Sequence, residues 1–260
     1  MRNFFRNLNR HGVRYLLISG QASVLYGAAT FSEDIDIWIA PTKSNLKALI
    51  RSLDASKATV YKLTPPLDLD YFQRGHGFHF KLPVDVSLPA FLDVIGKPPR
   101  VGSFANAYRR ASWFASEWGK IPVVAIRDLV ELKKTRRLAD YEVISNLARI
   151  HLLSQRKKMN KRTLVWGLQH CFRIEDAQWI LQTWPKTRTL IQDVDRNWIR
   201  LLLQSNLTNS YMERIQTLLV SEIAHYQRLD VIYWAPIIQE LKHLRKKGNL
   251  LREGLPVSTS

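Results

Sequence analysis

The hydrophobic pattern of the chain changes near residue 155, and this change constrains the fold more than any other feature. Before it, short apolar or alternating segments bounded by glycine and proline predict strands separated by amphipathic helices. After it, the apolar residues follow long helical periodicities and form no clear strand. The sequence therefore predicts an α/β domain over residues 1–155 and an all-helical domain over residues 156–260.

Six segments of the first domain have the pattern of strands, namely 13–18, 34–40, 59–63, 77–82, 84–88 and 121–126. Helices are predicted over 2–10, over 45–53 with Thr42 as N-cap, over 129–135, and from Asp140 as N-cap to about residue 153.

Two aspartates, Asp34 and Asp36, lie on one of these predicted strands. Because side chains alternate across a strand, both carboxylates point to the same face. Two adjacent carboxylates repel each other, and a divalent cation holds such a pair ionised; hard oxygen donors suit Mg²⁺ or Mn²⁺. The competing interpretation is a pair of surface acids that only solvate one face.

A third acid, Asp85, lies in an otherwise apolar segment, and a carboxylate in that setting calls for a partner. If the strand of Asp85 lies beside that of Asp34 and Asp36, three carboxylates converge. Three converging acids form the site used for two-metal nucleotidyl or phosphoryl transfer. The turn of Ser19, Gly20 and Gln21 between a strand and a helix offers backbone N–H groups to a phosphate.

Two stretches of the chain resemble a known family. Residues 15–38, YLLISGQASVLYGAATFSEDIDIW, resemble the opening of the nucleotidyltransferase superfamily, which has the DNA polymerase β-like fold, and are most similar to the bacterial AbiEii-type toxin nucleotidyltransferases. Residues 121–141, IPVVAIRDLVELKKTRRLADY, resemble the same group. The resemblance covers about residues 13–150 and implies a nucleotidyltransferase-like mixed sheet flanked by helices.

The resemblance also implies an activity, the transfer of a nucleoside monophosphate from an NTP to an acceptor with release of pyrophosphate. Asp34, Asp36 and Asp85 match the metal-binding and catalytic carboxylates, and the turn matches the nucleotide-binding segment. Lys133, Arg137 and Asp140 match the basic residues and the aspartate of the nucleotide pocket. Mg²⁺ or Mn²⁺ would be the cofactor. A solvated lysine and a simple N-cap are the competing interpretations of Lys133 and Asp140.

Charge and composition narrow the class of partner. The 39 Lys+Arg against 22 Asp+Glu give a net charge of +17, spread over both halves of the chain, which favours phosphate-bearing partners. We therefore expect the NTP and RNA, such as a tRNA end, as partners, with a cognate antitoxin protein in the toxin version. The alternatives are a small-molecule transferase of the aminoglycoside-modifying type, whose cationic acceptors match a basic protein poorly, and an inactive RNA- or protein-binding member.

Other features argue against a P-loop NTPase, a disulfide, a histidine metal site and a membrane span. The sequence has no G-x-x-x-x-G-K-[ST] loop, and its single cysteine excludes an internal disulfide. His76 and His79 have no third soft ligand at a suitable spacing for a metal. The uncharged stretch 15–32 is too interrupted by polar residues for a membrane span. We expect a cytoplasmic protein with no membrane partner.

Overall fold

A computed structural model describes residues 2–83, 90–116, 119–203 and 208–257. The chain forms two compact units. The sheet unit consists of Met1–Leu25, Thr30–Leu132 and Tyr233–Ser260, and the helical unit of Tyr26–Ala29 and Lys133–Ile232.

The sheet unit is built on one mixed sheet of seven strands in the order β3-β4-β5-β2-β1-β7-β6. The strands are β1 Tyr15–Ile18, β2 Ile35–Ile39, β3 Thr59–Val60, β4 Gly77–Leu82, β5 Ala90–Ile95, β6 Ser112–Ser116 and β7 Gly119–Val123. Strand β2 runs antiparallel to β1 and parallel to β5, and β1 runs parallel to β7. The other pairs are antiparallel.

The helices of this unit are α1 Arg2–Arg10, α2 Ser19–Leu25, α3 Lys43–Ala55, α4 Leu69–Arg74, α5 Phe104–Arg109 and α6 Ile126–Leu132. Helix α1 buries Phe4, Phe5 and Leu8, which its helical spacing places on one side. The side chain of Thr42 accepts a hydrogen bond from the backbone N–H of Asn45 and caps α3, as predicted.

Strands β4 and β5 bury only one of their faces. Buried and partly exposed side chains alternate along both strands, and Phe78, Phe80, Leu92 and Val94 are buried in the core. The opposite face carries the polar side chains of His79, Lys81 and Asp93 together with the apolar side chains of Phe91 and Ile95. We call it the open face.

The helical unit contains α7 Ala139–Ser154, α8 Lys161–Gln169, α9 Ile174–Thr183, α10 Asn197–Leu201 and two 3₁₀ segments, Arg156–Lys158 and Pro185–Asp193. Helix α11, Asn209–Lys246, begins in this unit. A buried ion pair joins Arg196 to Glu222, whose carboxylate also accepts a 2.9 Å hydrogen bond from the indole of Trp198. The pair lets the guanidinium be buried with its charge compensated.

The predicted mixed α/β architecture with a helical C-terminal region is confirmed. Two strands, β5 and β6, were not predicted. The predicted strand 84–88, with Asp85, lies outside the described residues. The N-cap role predicted for Asp140 is wrong: α7 begins at Ala139, and Leu138 at the cap position makes no side-chain capping hydrogen bond. The predicted boundary at residues 155–156 stays a prediction.

Within the part of the chain that the structure describes, no helix combines the length and the apolar character needed to cross a bilayer.

Candidate active site

Four neighbouring strands place a row of residues side by side across the sheet. Asp36 on β2 is paired with Ile18 on β1 and with Asp93 on β5, and Asp93 is in turn paired with His79 on β4. Paired residues point to the same face of a sheet, and neighbouring strands lie about 4.8 Å apart. Two carboxylates and an imidazole therefore share the open face. We call Asp36, Asp93 and His79 the acidic row.

Asp93 is a candidate site residue that was not predicted from the sequence. Its carboxylate lies 2.7 Å from Nδ1 of His79, which fixes the orientation of both side chains. Both side chains are partly accessible, with exposed fractions of 32% for Asp93 and 26% for His79. The signal in the sequence was an acid within the apolar segment AFLDVI, the same signal that drew attention to Asp85.

Asp34 is half-buried and directly precedes β2. The hydroxyl of Ser32 donates a 3.3 Å hydrogen bond to the backbone carbonyl of Asp34. The structure therefore places Asp34 and Asp36 at the same end of β2, in the segment that the predicted turn also contacts.

The turn of Ser19, Gly20 and Gln21 packs directly against the segment that leads into β2. The side-chain amide of Gln21 donates a 2.8 Å hydrogen bond to the carbonyl of Ser32. A Cβ on Gly20 would lie 2.1 Å from Oγ and 2.8 Å from Cβ of Ser32, so only glycine permits this approach. Ser19 follows Ile18, the strand partner of Asp36, and has a φ of +57°.

That left-handed backbone at Ser19 is strained for a residue with a side chain, and such strain concentrates at functional turns. The structure thus brings the three turn residues close to the segment that contains Asp34 and Asp36. The side chain of Gln21 holds the turn against Ser32 through its hydrogen bond.

The remaining predicted residues lie in the helical unit. Lys133 and Asp140 form a buried ion pair with Nζ and Oδ1 2.8 Å apart, and Thr135 donates its hydroxyl hydrogen to the other carboxylate oxygen at 2.5 Å. Arg137 has an exposed side chain, and its backbone N–H donates to the hydroxyl of Thr135. The structure therefore brings Lys133 and Asp140 together, with the lysine charge already compensated.

Among residues 2–83, 90–116, 119–203 and 208–257, no three histidine, cysteine, aspartate or glutamate side chains group closely enough to hold a metal ion. Mg²⁺ is commonly held by one or two carboxylates and completes its octahedron with waters and substrate phosphates. The donor chemistry of Asp36 and Asp93, two carboxylates in register on parallel strands, fits that requirement.

Comparison with known proteins gives no family: no protein-family model matches the chain, and no curated protein matches it. The described architecture is a mixed α/β unit with a seven-stranded sheet and a helical unit.

Proposed function

We propose that the protein is a metal-dependent nucleotidyltransferase that moves a nucleoside monophosphate from an NTP to RNA. One observation carries the proposal: Asp36 and Asp93 face each other in register on two parallel strands, beside a strained turn that a glycine brings close to the entry of β2. Two carboxylates in register on neighbouring strands are a pair that a divalent cation can bind and hold ionised.

Asp36 and Asp93 are the two described residues that would hold Mg²⁺ or Mn²⁺, and Asp34 and Asp85 remain the predicted additional donors. When bound, such an ion neutralises charge on the phosphoryl oxygens and lowers the pKa of the acceptor hydroxyl. His79 acts as a positioning residue, because its hydrogen bond fixes the carboxylate of Asp93.

The transfer itself is an in-line displacement. The acceptor hydroxyl oxygen forms a bond to the α-phosphorus, the bond from that phosphorus to the bridging oxygen breaks, and pyrophosphate leaves. A carboxylate of the acidic row takes the proton of the hydroxyl. The backbone N–H groups of the turn at Ser19 to Gln21 bind a phosphate. A role of Lys133, Arg137 and Asp140 in binding the NTP rests on the resemblance alone.

RNA is the acceptor favoured by charge. A net charge of +17 attracts a polyanion and repels a cationic aminoglycoside. A tRNA end as the acceptor, a toxin role and a protein antitoxin rest on the resemblance alone and belong to the same proposal.

The test is incubation with NTPs labelled at the α-phosphate, Mg²⁺ and total RNA. We expect label in the RNA fraction, and at least a 100-fold loss for Asp36→Asn, since one lost catalytic interaction of this type costs roughly that factor. Asp34→Asn, Asp85→Asn and Asp93→Asn, compared side by side, identify which acids bind the metal together with Asp36. Asp54→Asn, an exposed acid on α3, is the matched control and should retain full activity. Label in a small molecule would favour the aminoglycoside-type alternative, and RNA binding without NTP consumption would favour the inactive one.

Metal binding gives a second readout that is independent of turnover. A ligand at 100 times its dissociation constant stabilises the folded state by about 2.7 kcal/mol. For a chain of this size, we expect Mg²⁺ or Mn²⁺ to raise the melting temperature by several degrees. The shift should disappear in Asp36→Asn and persist in Asp54→Asn. An equal shift in both variants would contradict the assignment of the acidic row.

A further inference from the structure

An aromatic pair, Tyr61 and Phe91, lies on the open face beside the acidic row. The two ring centroids are 4.6 Å apart and the rings are inclined by 26°, a stacked arrangement. Both residues are half-buried, so part of each ring is accessible. The metal site proposed on the acidic row involves neither ring, so the aromatic pair is a separate feature of the open face.

The strand register fixes where the pair lies relative to the carboxylates. Phe91 and Asp93 are two residues apart on β5 and therefore share a face. The backbone N–H of Tyr61 donates a 2.9 Å hydrogen bond to the carbonyl of His79, which places Tyr61 alongside the residue that is hydrogen-bonded to Asp93. The rings meet across β4, over the same face as the acidic row.

Two lysines add positive charge at this place. Nζ of Lys62 lies 4.9 Å from the ring centroid of Tyr61 and 5.8 Å from that of Phe91. Lys81, exposed on β4, is the strand partner of Phe91. An aromatic surface flanked by exposed cations is a combination that binds single-stranded nucleic acid, since bases stack on the rings while cations pair with the phosphates.

We propose that Tyr61 and Phe91, with Lys62, form a stacking platform for a nucleobase near the reacting end of a single-stranded RNA acceptor. This proposal rests on the proposed function, because it assigns the acceptor to the face that carries the carboxylates. The overall positive charge and the exposed lysines favour a polyanionic strand over an isolated base. The base of the NTP offers the same stacking chemistry, so the experiment separates the two sources.

The experiment measures binding of a fluorescent single-stranded oligoribonucleotide to the full chain by anisotropy, with Mg²⁺ and without NTP. We expect Tyr61→Leu and Phe91→Leu each to weaken binding by roughly 5- to 150-fold, the range that loss of one base–aromatic stack produces. Tyr61→Phe should bind as the wild type does, because it keeps the ring. Trp113→Leu is the matched control, because Trp113 is an exposed aromatic residue on β6 at the other end of the sheet. This substitution should leave the RNA affinity unchanged.

The salt dependence of RNA binding tests whether Lys62 contacts a phosphate. Lys62→Met should reduce the slope of log K against log salt by about 0.7, as expected for one phosphate contact on a single strand. Lys120→Met, an exposed lysine on β7, should leave the slope unchanged. The leucine variants should lower affinity at every salt concentration without altering the slope.

Circular dichroism of each variant establishes that it is folded, and the salt dependence of Lys62→Met tests the platform if a leucine variant is not. Unchanged RNA affinity in folded leucine variants would overturn the platform, as would an effect confined to the KM for the NTP. If the leucine variants lose RNA affinity while no transferase activity is found, the platform stands and the proposed function fails.

Discussion

The close approach of Gly20 to Ser32 predicts that Gly20→Ala destabilises the sheet unit. The added Cβ would meet Ser32 Oγ at 2.1 Å and Ser32 Cβ at 2.8 Å. Rotation of the serine side chain relieves the first contact but not the second, so the backbone of one segment must move. Overpacking of this kind costs about 1–3 kcal/mol.

Two further contributions to the free energy of unfolding nearly cancel. The movement breaks the hydrogen bond from Gln21 to the carbonyl of Ser32, worth about 1 kcal/mol. Alanine is better than glycine within α2 by about 1 kcal/mol. We therefore expect Gly20→Ala to lower the free energy of unfolding by about 1–3 kcal/mol, measured by urea denaturation at constant m-value.

Gly102→Ala is the matched control, because a Cβ there has nothing within 4 Å and should change stability by less than about 0.5 kcal/mol. The double variant Gly20→Ala/Ser32→Gly removes both clashing atoms. It should recover about 1–3 kcal/mol relative to the sum of the single changes. Additive behaviour in that cycle, or a Gly20→Ala variant as stable as the Gly102→Ala control, would refute the steric reasoning.

Three other predictions concern separate parts of the chain. Ser19→Gly should stabilise the protein by up to about 1 kcal/mol in the same urea assay, because glycine adopts a φ of +57° without steric strain; a loss of stability would contradict the strain. Burial raises the pKa of the Cys171 thiol to about 11 despite the nearby guanidinium of Arg196. At about pH 8 the folded protein should therefore react with iodoacetamide roughly 100 times more slowly than the unfolded chain, and equal rates would contradict the burial. Burial opposes the ionisation of Glu240, yet hydrogen bonds from Arg74 and His76 outweigh it, so the pKa of Glu240 is lowered. A carboxylate with a lowered pKa stabilises the folded state at pH values above its pKa in the unfolded chain, and this contribution is lost on acidification. The difference in free energy of unfolding between wild type and Glu240→Gln should therefore shrink from about pH 7 to about pH 3.

The part of the fold that follows from local patterns could be predicted from sequence. The apolar spacing of α1, the capping of α3 by Thr42 and the strand at Gly77–Leu82 all depend on neighbours in the chain, and all are confirmed. The helical structure after residue 155 was likewise predicted from the spacing of apolar residues along the chain.

Pairing between strands could not be predicted in this way, because register depends on residues far apart in sequence. Asp93 is beside Asp36 only because β5 lies next to β2 in a parallel pair with a specific register. A shift of one residue would move Asp93 to the buried face. An acid in an apolar segment marks both Asp85, which stays a predicted donor outside the described residues, and Asp93 on the strand that follows.

The arrangement of the open face links stability to function. Alternation on β4 and β5 requires outward-facing side chains, but it does not require two carboxylates opposite each other, an arrangement that is unfavourable by several tenths of a kcal/mol. His79 is hydrogen-bonded to Asp93. A cation shared by Asp36 and Asp93 would reduce the negative field that an RNA phosphate approaching Lys62 would meet. Metal binding should therefore precede productive RNA binding: affinity for the oligoribonucleotide should rise when Mg²⁺ is added, and that rise should be absent in Asp36→Asn.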